Sequence, residues 1–270
     1  MPRIVSSNIK FKGKVGDEVF VDSSRYGHHL RKAPKKGIKK EEPAFKEQLD
    51  RTVFLNKLAS EINLAVDRYH PAFKEPDFYS RLHKHFRQEP LDIRFFLLKR
   101  LKGVEVNDNY PMGKLGDCKY EVKATTKKII VSLCTEHHPP TSIGRYRSNS
   151  YYNSVLLLCW NKPKARATIF QQRTEWIPIA KEMPDFEFDF PKPPGTTHWL
   201  LFHRQCLGKN RTEIDSMKAE GMWVADIGSF EKIELAMYEK VTAERDELSK
   251  EEKRKQVEEE GEWVKPKRVR

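Results

Sequence analysis

Between residues 43 and 228 the spacing of apolar residues changes once, and that change limits the folds open to this chain. From Pro43 to Leu101 the apolar positions recur every three or four residues, as on one face of a helix; from Cys118 to about Ile227 they recur every second residue, as on a strand. The first pattern starts at Pro43, a residue favoured in the first turn of a helix. Phe45, Leu49, Phe54 or Leu55, Leu58, Ile62, Ala65 and Tyr69 then line one face, and Pro71 ends it. A second helix is predicted from Pro76-Asp77, carrying Phe78, Leu82 and Phe86. A third follows Pro90 and runs from Leu91 to Leu101, with Ile93, Phe96, Leu97 and Leu101 inward and Gly103 as its C-terminal stop.

Residues 104–117 are rich in turn formers and mark the expected domain boundary. Beyond them the predicted strands are Tyr120–Ala124, Lys128–Cys134, Ser154–Trp160, Ala167–Gln171, Phe186–Phe190, His198–His203 and Met222–Ile227. The paired prolines at 139–140 and 193–194 fall between them, where no ladder hydrogen bond is lost. Seven short strands with turn signals at such intervals read as an immunoglobulin-like β-sandwich. From Ser229 the pattern fits either period at first; from Glu239 the density of Glu, Lys and Arg favours an exposed helix, followed by a disordered tail.

Charge is distributed unevenly. The chain carries a net charge of +12, and its first 40 residues hold 11 Lys and Arg against 3 Asp and Glu. Gly13 to Phe20 and His29 to Lys32 read as a hairpin that turns through Ser23 to Gly27 and runs into a lysine ladder. A dense cationic arm of this kind meets a polyanion or an acidic protein surface. Its candidate contacts are Arg31, Lys32, Lys35, Lys36, Lys39 and Lys40. A second candidate is the segment from Ser142 to Asn153, where Arg145, Tyr146, Arg147 and Tyr151 interleave cations with rings, a composition suited to phosphates and stacked bases. The competing reading makes it a sandwich loop with Tyr151 or Tyr152 tucked into the edge of the core.

Catalytic and metal patterns are weak. Cys134, His137, His138, His198, His203 and Cys206 lack the paired spacing of zinc sites, and His198 and His203, five apart on a strand, point to opposite faces. Cys134 beside a histidine resembles hydrolase chemistry only in residue type, and no GxSxG elbow is present. Gly13-x-x-Gly16 and Gly113-x-x-Gly116 are turns rather than phosphate loops. No catalytic residue, metal or cofactor is therefore expected. Nor is a membrane span, since no apolar run approaches the ~18 residues required. With no secretory signal visible at the N-terminus and four cysteines that form no disulfide framework, a cytoplasmic location is expected.

Gly13-Lys14-Val15-Gly16-Asp17 with Val19-Phe20, Leu30-Arg31-Lys32-Ala33-Pro34, Arg81-Leu82, Leu101 to Asn107 and Tyr110-Pro111 resemble a protein family of Bacteroidota genomes. In that family a GK[IV]G hairpin and a helical half precede a β-rich half ending in a strand like His198 to Phe202. The resemblance covers residues 1–117 well and the rest loosely. It implies an architecture and brings no activity or catalytic residue. The expected fold is thus α+β: a basic hairpin arm (1–42), a three-helix unit (43–117), a sandwich (118–228) and a charged helix with a disordered tail (229–270). The expected role is a non-enzymatic structural or adaptor protein with a protein partner or a homo-oligomer. The alternative is a nucleic-acid-binding protein using the arm and the Arg145–Tyr152 loop.

Overall fold

A computed structural model describes residues 13–15, 18–23, 27–32, 43–69, 77–107, 112, 118–135, 137–143, 145–161, 167–179 and 185–263. The chain divides into two compact units, residues 1–53 and 54–270.

The first unit contains a three-stranded antiparallel sheet in the order β1 (Gly13–Val15), β2 (Glu18–Ser23), β3 (Gly27–Lys32). Phe20 pairs with Leu30 and Val19 with Arg31, so the expected hairpin forms, with His29 to Lys32 on its return strand. Gly27, the first residue of β3, has φ +66°, which glycine adopts without strain. The first turns of helix α1 (Pro43–Tyr69) also belong to this unit, which ends within that helix.

The second unit is layered about a six-stranded antiparallel sheet. Its two long central strands are β8 (Ser150–Asn161) and β12 (Thr196–Lys209), paired from Ser150↔Gly208 to Asn161↔Thr196. On its other side β8 pairs with β9 (Thr168–Arg173) and β10 (Ile177–Pro178). On its other side β12 pairs with β14 (Glu220–Ser229) and, at its end, with β13 (Thr212–Glu213). A smaller sheet in the order β11 (Phe186–Pro191), β5 (Lys128–Thr135), β4 (Cys118–Ala124) lies beside it. A two-residue pair, β6 (Ser142–Ile143) and β7 (Tyr146–Arg147), completes the strands among the described residues.

Alternation along β8 and β12 decides what each face meets. Leu156, Leu158, Trp160, Leu200 and Phe202 pack with the helices, against Leu58, Ile62 and Val66 of α1, Phe78, Leu82 and Phe86 of α2 (Phe78–Arg87), and Phe95, Leu97 and Leu98 of α3 (Arg94–Lys99). The intervening Val155, Leu157, Cys159, Trp199 and Leu201 pack against Ile129, Val131 and Leu133 of β5 and Phe188 and Phe190 of β11. Each fully buried large side chain contributes about 1.5–3 kcal/mol of hydrophobic stabilisation, so both faces matter to the fold.

The protein is therefore mixed α+β, with four α-helices among the described residues and a β-rich half of antiparallel sheets. All seven predicted strands form, some of them longer than expected. The helices do not stand apart from the strands: they share one core with the central sheet. At the expected boundary, Gly103 and Val106 donate to Val224 and Met222 carbonyls of β14, and Val104 accepts from Val224, so the first part of that segment extends the sheet edge. Helix α4 (Lys232–Trp263) settles the ambiguous region after Ser229. The Ser229 hydroxyl accepts from Glu231 N–H just ahead of it (3.0 Å), and Tyr238 meets Phe95 and Phe96 edge-on. Among the described residues no helix is long and apolar enough to cross a membrane.

Candidate functional site

Both central strands turn polar toward one end. After Phe202 the sequence of β12 runs His-Arg-Gln-Cys, and the opposing stretch of β8 reads Tyr152, Asn153 and Ser154. All these side chains are buried. Polar groups in a core must bond to one another, and here they do so on both faces of the sheet.

On the helical face Arg204 donates through Nε and Nη2 to Glu220 Oε2, at 3.1 and 2.6 Å. Burial opposes the Arg204 cation, yet the Glu220 carboxylate outweighs it and holds the guanidinium above its ordinary pKa. The same guanidinium lies 5.7 Å from the ring centre of Tyr69 and 5.5 Å from that of Tyr152. The hydroxyls of Tyr69 and Ser154 are hydrogen-bonded, and Tyr152 donates to Glu213 Oε1 at 2.7 Å. Burial pushes the Tyr152 phenol up and, with Glu220 beside it, raises the Cys206 thiol to about 12. The ligand-type atoms of Cys206, Glu213 and Glu220 lie within 4.8 Å of one another. Arg204 and Tyr152 already occupy the two carboxylates.

On the opposite face Trp223 Nε1 donates to Tyr120 Oη (2.9 Å), which leaves the Tyr120 hydroxyl to donate to His203 Nδ1 (2.7 Å). His203 Nε2–H then donates to Asn153 Oδ1 (3.1 Å), which also accepts from Gln205. This order of donors assigns the Nε2–H tautomer. Burial lowers the His203 pKa to about 3, so the ring is neutral near pH 7. His198, near the other end of β12, faces α4 and bonds Glu234 through Nε2 at 2.5 Å. The two histidines do point to opposite faces.

A cavity of about 480 Å³ opens beside the helical-face cluster, lined by Tyr152, Arg173, Thr174, Glu175, Trp176 and Arg211. A second, of about 490 Å³, is lined by Thr141, Ser142, Arg147, Ser148, Asn149 and Lys209. The two are linked by the turn between β12 and β13, since Lys209 lines one and Arg211 the other.

The described residues singled out from sequence lie on separate elements. Arg31 and Lys32 are exposed on β3, at the edge of the hairpin sheet. Lys35, Lys36, Lys39 and Lys40 lie outside the described residues. Arg145 is exposed; its Nη2 donates to the Tyr146 hydroxyl (3.2 Å), and its guanidinium sits 5.2 Å from that ring. That bond raises the Arg145 pKa and lowers that of Tyr146. Arg147 lines the second cavity. Tyr151 is fully buried in β8, edge-on to His138, so it belongs to the core rather than to a stacking surface. Cys134 is exposed on β5, lining a third cavity with Lys119, Glu121 and Glu187.

Sequence reasoning passed over Arg173, Trp176, Arg204, Arg211 and Glu220. One signal was available: polar residues in both phases of alternation directly after the apolar run Trp199 to Phe202. A strand that is polar on both sides and still central must carry a bonded network. No protein-family model matches the chain, and neither a curated protein nor a solved structure shows significant similarity to it.

Proposed function

We propose that the chain is a non-enzymatic adaptor that holds a protein partner, or a second copy of itself, through its basic hairpin sheet. The β-rich half, read as an immunoglobulin-like sandwich with helices added on one face, is the scaffold. The observation that carries this reading is the place of β3: it is an edge strand, and it presents exposed Arg31 and Lys32. An edge strand offers backbone groups to a neighbouring strand, and its cations select an acidic one. The buried titratable groups support a binding role. Cys159 and Cys206 are raised to about 12 by burial and His203 is lowered to about 3, which suits neither a thiolate nucleophile nor a general base near pH 7.

A second reading, nucleic-acid binding, is favoured by exposed Arg145 over the half-buried Tyr146 ring, beside a cavity lined by Arg147 and Lys209. One set of measurements separates the two. Light scattering of the full chain is compared with Arg31→Glu/Lys32→Glu and with a chain starting at Glu41, alongside salt titrations of binding to labelled single- and double-stranded DNA and RNA. The adaptor reading expects self-association or partner binding that both changes abolish, without steep nucleic-acid binding. Association untouched by either change sinks it. Tight binding to nucleic acid that weakens steeply with salt, and collapses without the arm, transfers the conclusion to the second reading.

A further inference from the structure

The cavity beside Tyr152 is assembled from pieces far apart in sequence, and its chemistry is specific. Arg173 closes β9, Thr174 to Trp176 lead into β10, Tyr152 comes from β8, and Arg211 comes from the turn between β12 and β13. Among the described residues neither the Arg173 nor the Arg211 guanidinium meets a carboxylate. Arg204, behind Tyr152, is matched by Glu220. Two uncompensated cations therefore face one cavity that holds a single carboxylate, Glu175. This arrangement concentrates positive potential on an anionic group.

The aromatic wall is rigid. The Trp176 ring lies on the backbone of Gly208, where an added β-carbon would sit 2.3 Å from the indole. Its edge meets Tyr152 at 4.9 Å between centroids. Tyr152 in turn has the Arg173 guanidinium 5.4 Å from its ring centre and its hydroxyl fixed on Glu213. A wall already ordered costs a ligand little to bind against.

The backbone at Arg211 is the third observation. Asn210 and Arg211 have φ +53° and +64°. Positive φ at both central residues marks the tight two-residue hairpin turn, where glycine is the favoured second residue. Here an arginine occupies that place and reaches the cavity. The turn is held from the side: Asn149 bonds both the Asn210 amide and its side chain at 2.8 Å, and Ser150 Oγ accepts from the Arg211 N–H. Backbone strain of this kind concentrates at ligand clamps.

We propose that this cavity binds a nucleotide unit. The phosphate sits between Arg173 and Arg211, and the base lies against the Trp176–Tyr152 wall. Glu175 accepts from a ribose hydroxyl or an exocyclic amine. A carboxylate in the cavity disfavours a bare inorganic anion and favours a ligand that carries donors as well as charge. A volume near 480 Å³ is in the range of small-molecule sites. The unit is either a free mononucleotide or one residue of a single strand. The proposal stands apart from the adaptor reading and uses none of its residues.

The test is titration calorimetry of the full chain with AMP, GMP, CMP and UMP, with adenosine and inorganic phosphate as part-ligands, and with a short single-stranded oligonucleotide. At least one mononucleotide is expected to bind saturably, about tenfold or more tighter than either part-ligand. Arg173→Gln and Arg211→Gly are each expected to weaken it by about tenfold or more. Glycine relieves the backbone at 211, so that variant melts no lower than the parent and its loss cannot be ascribed to unfolding. An oligonucleotide that binds more tightly and suffers in the same variants assigns the unit to a strand; otherwise the free nucleotide is the ligand. Arg31→Glu/Lys32→Glu is expected to leave the affinity unchanged, which separates this site from the adaptor surface. The proposal is overturned if no nucleotide saturates at millimolar concentration, if phosphate alone binds as well, or if both cavity variants bind like the parent.

Discussion

A buried neutral histidine ties the stability of this protein to pH. His203 is enclosed by Tyr120 and Asn153, and its folded-state pKa near 3 lies below the value of about 6.5 for an exposed imidazole. The unfolded chain thus binds the extra proton first. The stability from the neutral ring is fully present above pH ~6.5 and is lost as pH falls toward the folded value. A slope of about 1.4 kcal/mol per pH unit is expected between pH ~6 and ~4 from this residue. Urea unfolding of the parent and of His203→Gln across that range would check it. The variant keeps a donor and an acceptor but cannot titrate, so its stability should change less with pH. Equal slopes would show that His203 is not the titrating group.

At the scale of elements, α4 shows how a charged helix is held without an apolar face of its own. Its first half is fixed by Tyr238 on Phe95 and Phe96, by Glu234 on His198, and by Arg245 on Glu89. Glu89 is 1% exposed and accepts from Arg245 (2.8 and 3.1 Å) and Arg100 (3.0 Å). Burial pushes its pKa up, but these two arginines and the Leu91 N–H outweigh that and leave it below the ordinary carboxylate value. Its contribution is therefore fully present above pH ~4.3 and is lost as pH falls through the lowered folded value. Glu89→Gln is expected to cost about 2 kcal/mol at pH 7, with the difference from the parent narrowing at pH ~3. Thermal melts at the two pH values would test this; coincident melts at pH 7 would mean that the clamp adds nothing. The composition of α4 showed an exposed helix. The anchors were not legible, because Glu89 and Arg245 lie 156 positions apart.

For the second unit as a whole, a shared core has a thermodynamic consequence. Helices α1 to α3 and the central sheet bury their apolar side chains against each other, so neither layer retains its core alone. Loss of helix and loss of tryptophan burial should therefore follow one transition. The check is denaturant unfolding followed by far-ultraviolet circular dichroism and by tryptophan fluorescence. A helical signal that is lost well before the fluorescence change would contradict the shared core and restore the separate domains that the sequence suggests.

The pattern of apolar spacing determined most of the elements. Helical period over residues 43–101 and two-residue period from Cys118 are local properties of the chain, and they located three helices and seven strands. Where the pattern became polar it stopped being informative. Strands β8 and β12 continue through Ser150–Asn153 and Arg204–Lys209 because each supplies the other's hydrogen bonds, and only the pairing Ser150↔Gly208 shows that. The two-residue strands β6, β7, β10 and β13 are likewise products of pairing. The same holds for the cavity. Tyr152, Arg173, Trp176 and Arg211 carry no common spacing; β8 brings them together by pairing with β9 and β10 on one side and β12 on the other. Periodicity records which face of an element avoids water, and that much is written along the chain. Which elements meet is decided by long-range pairing and burial, and the candidate site consists of those meetings.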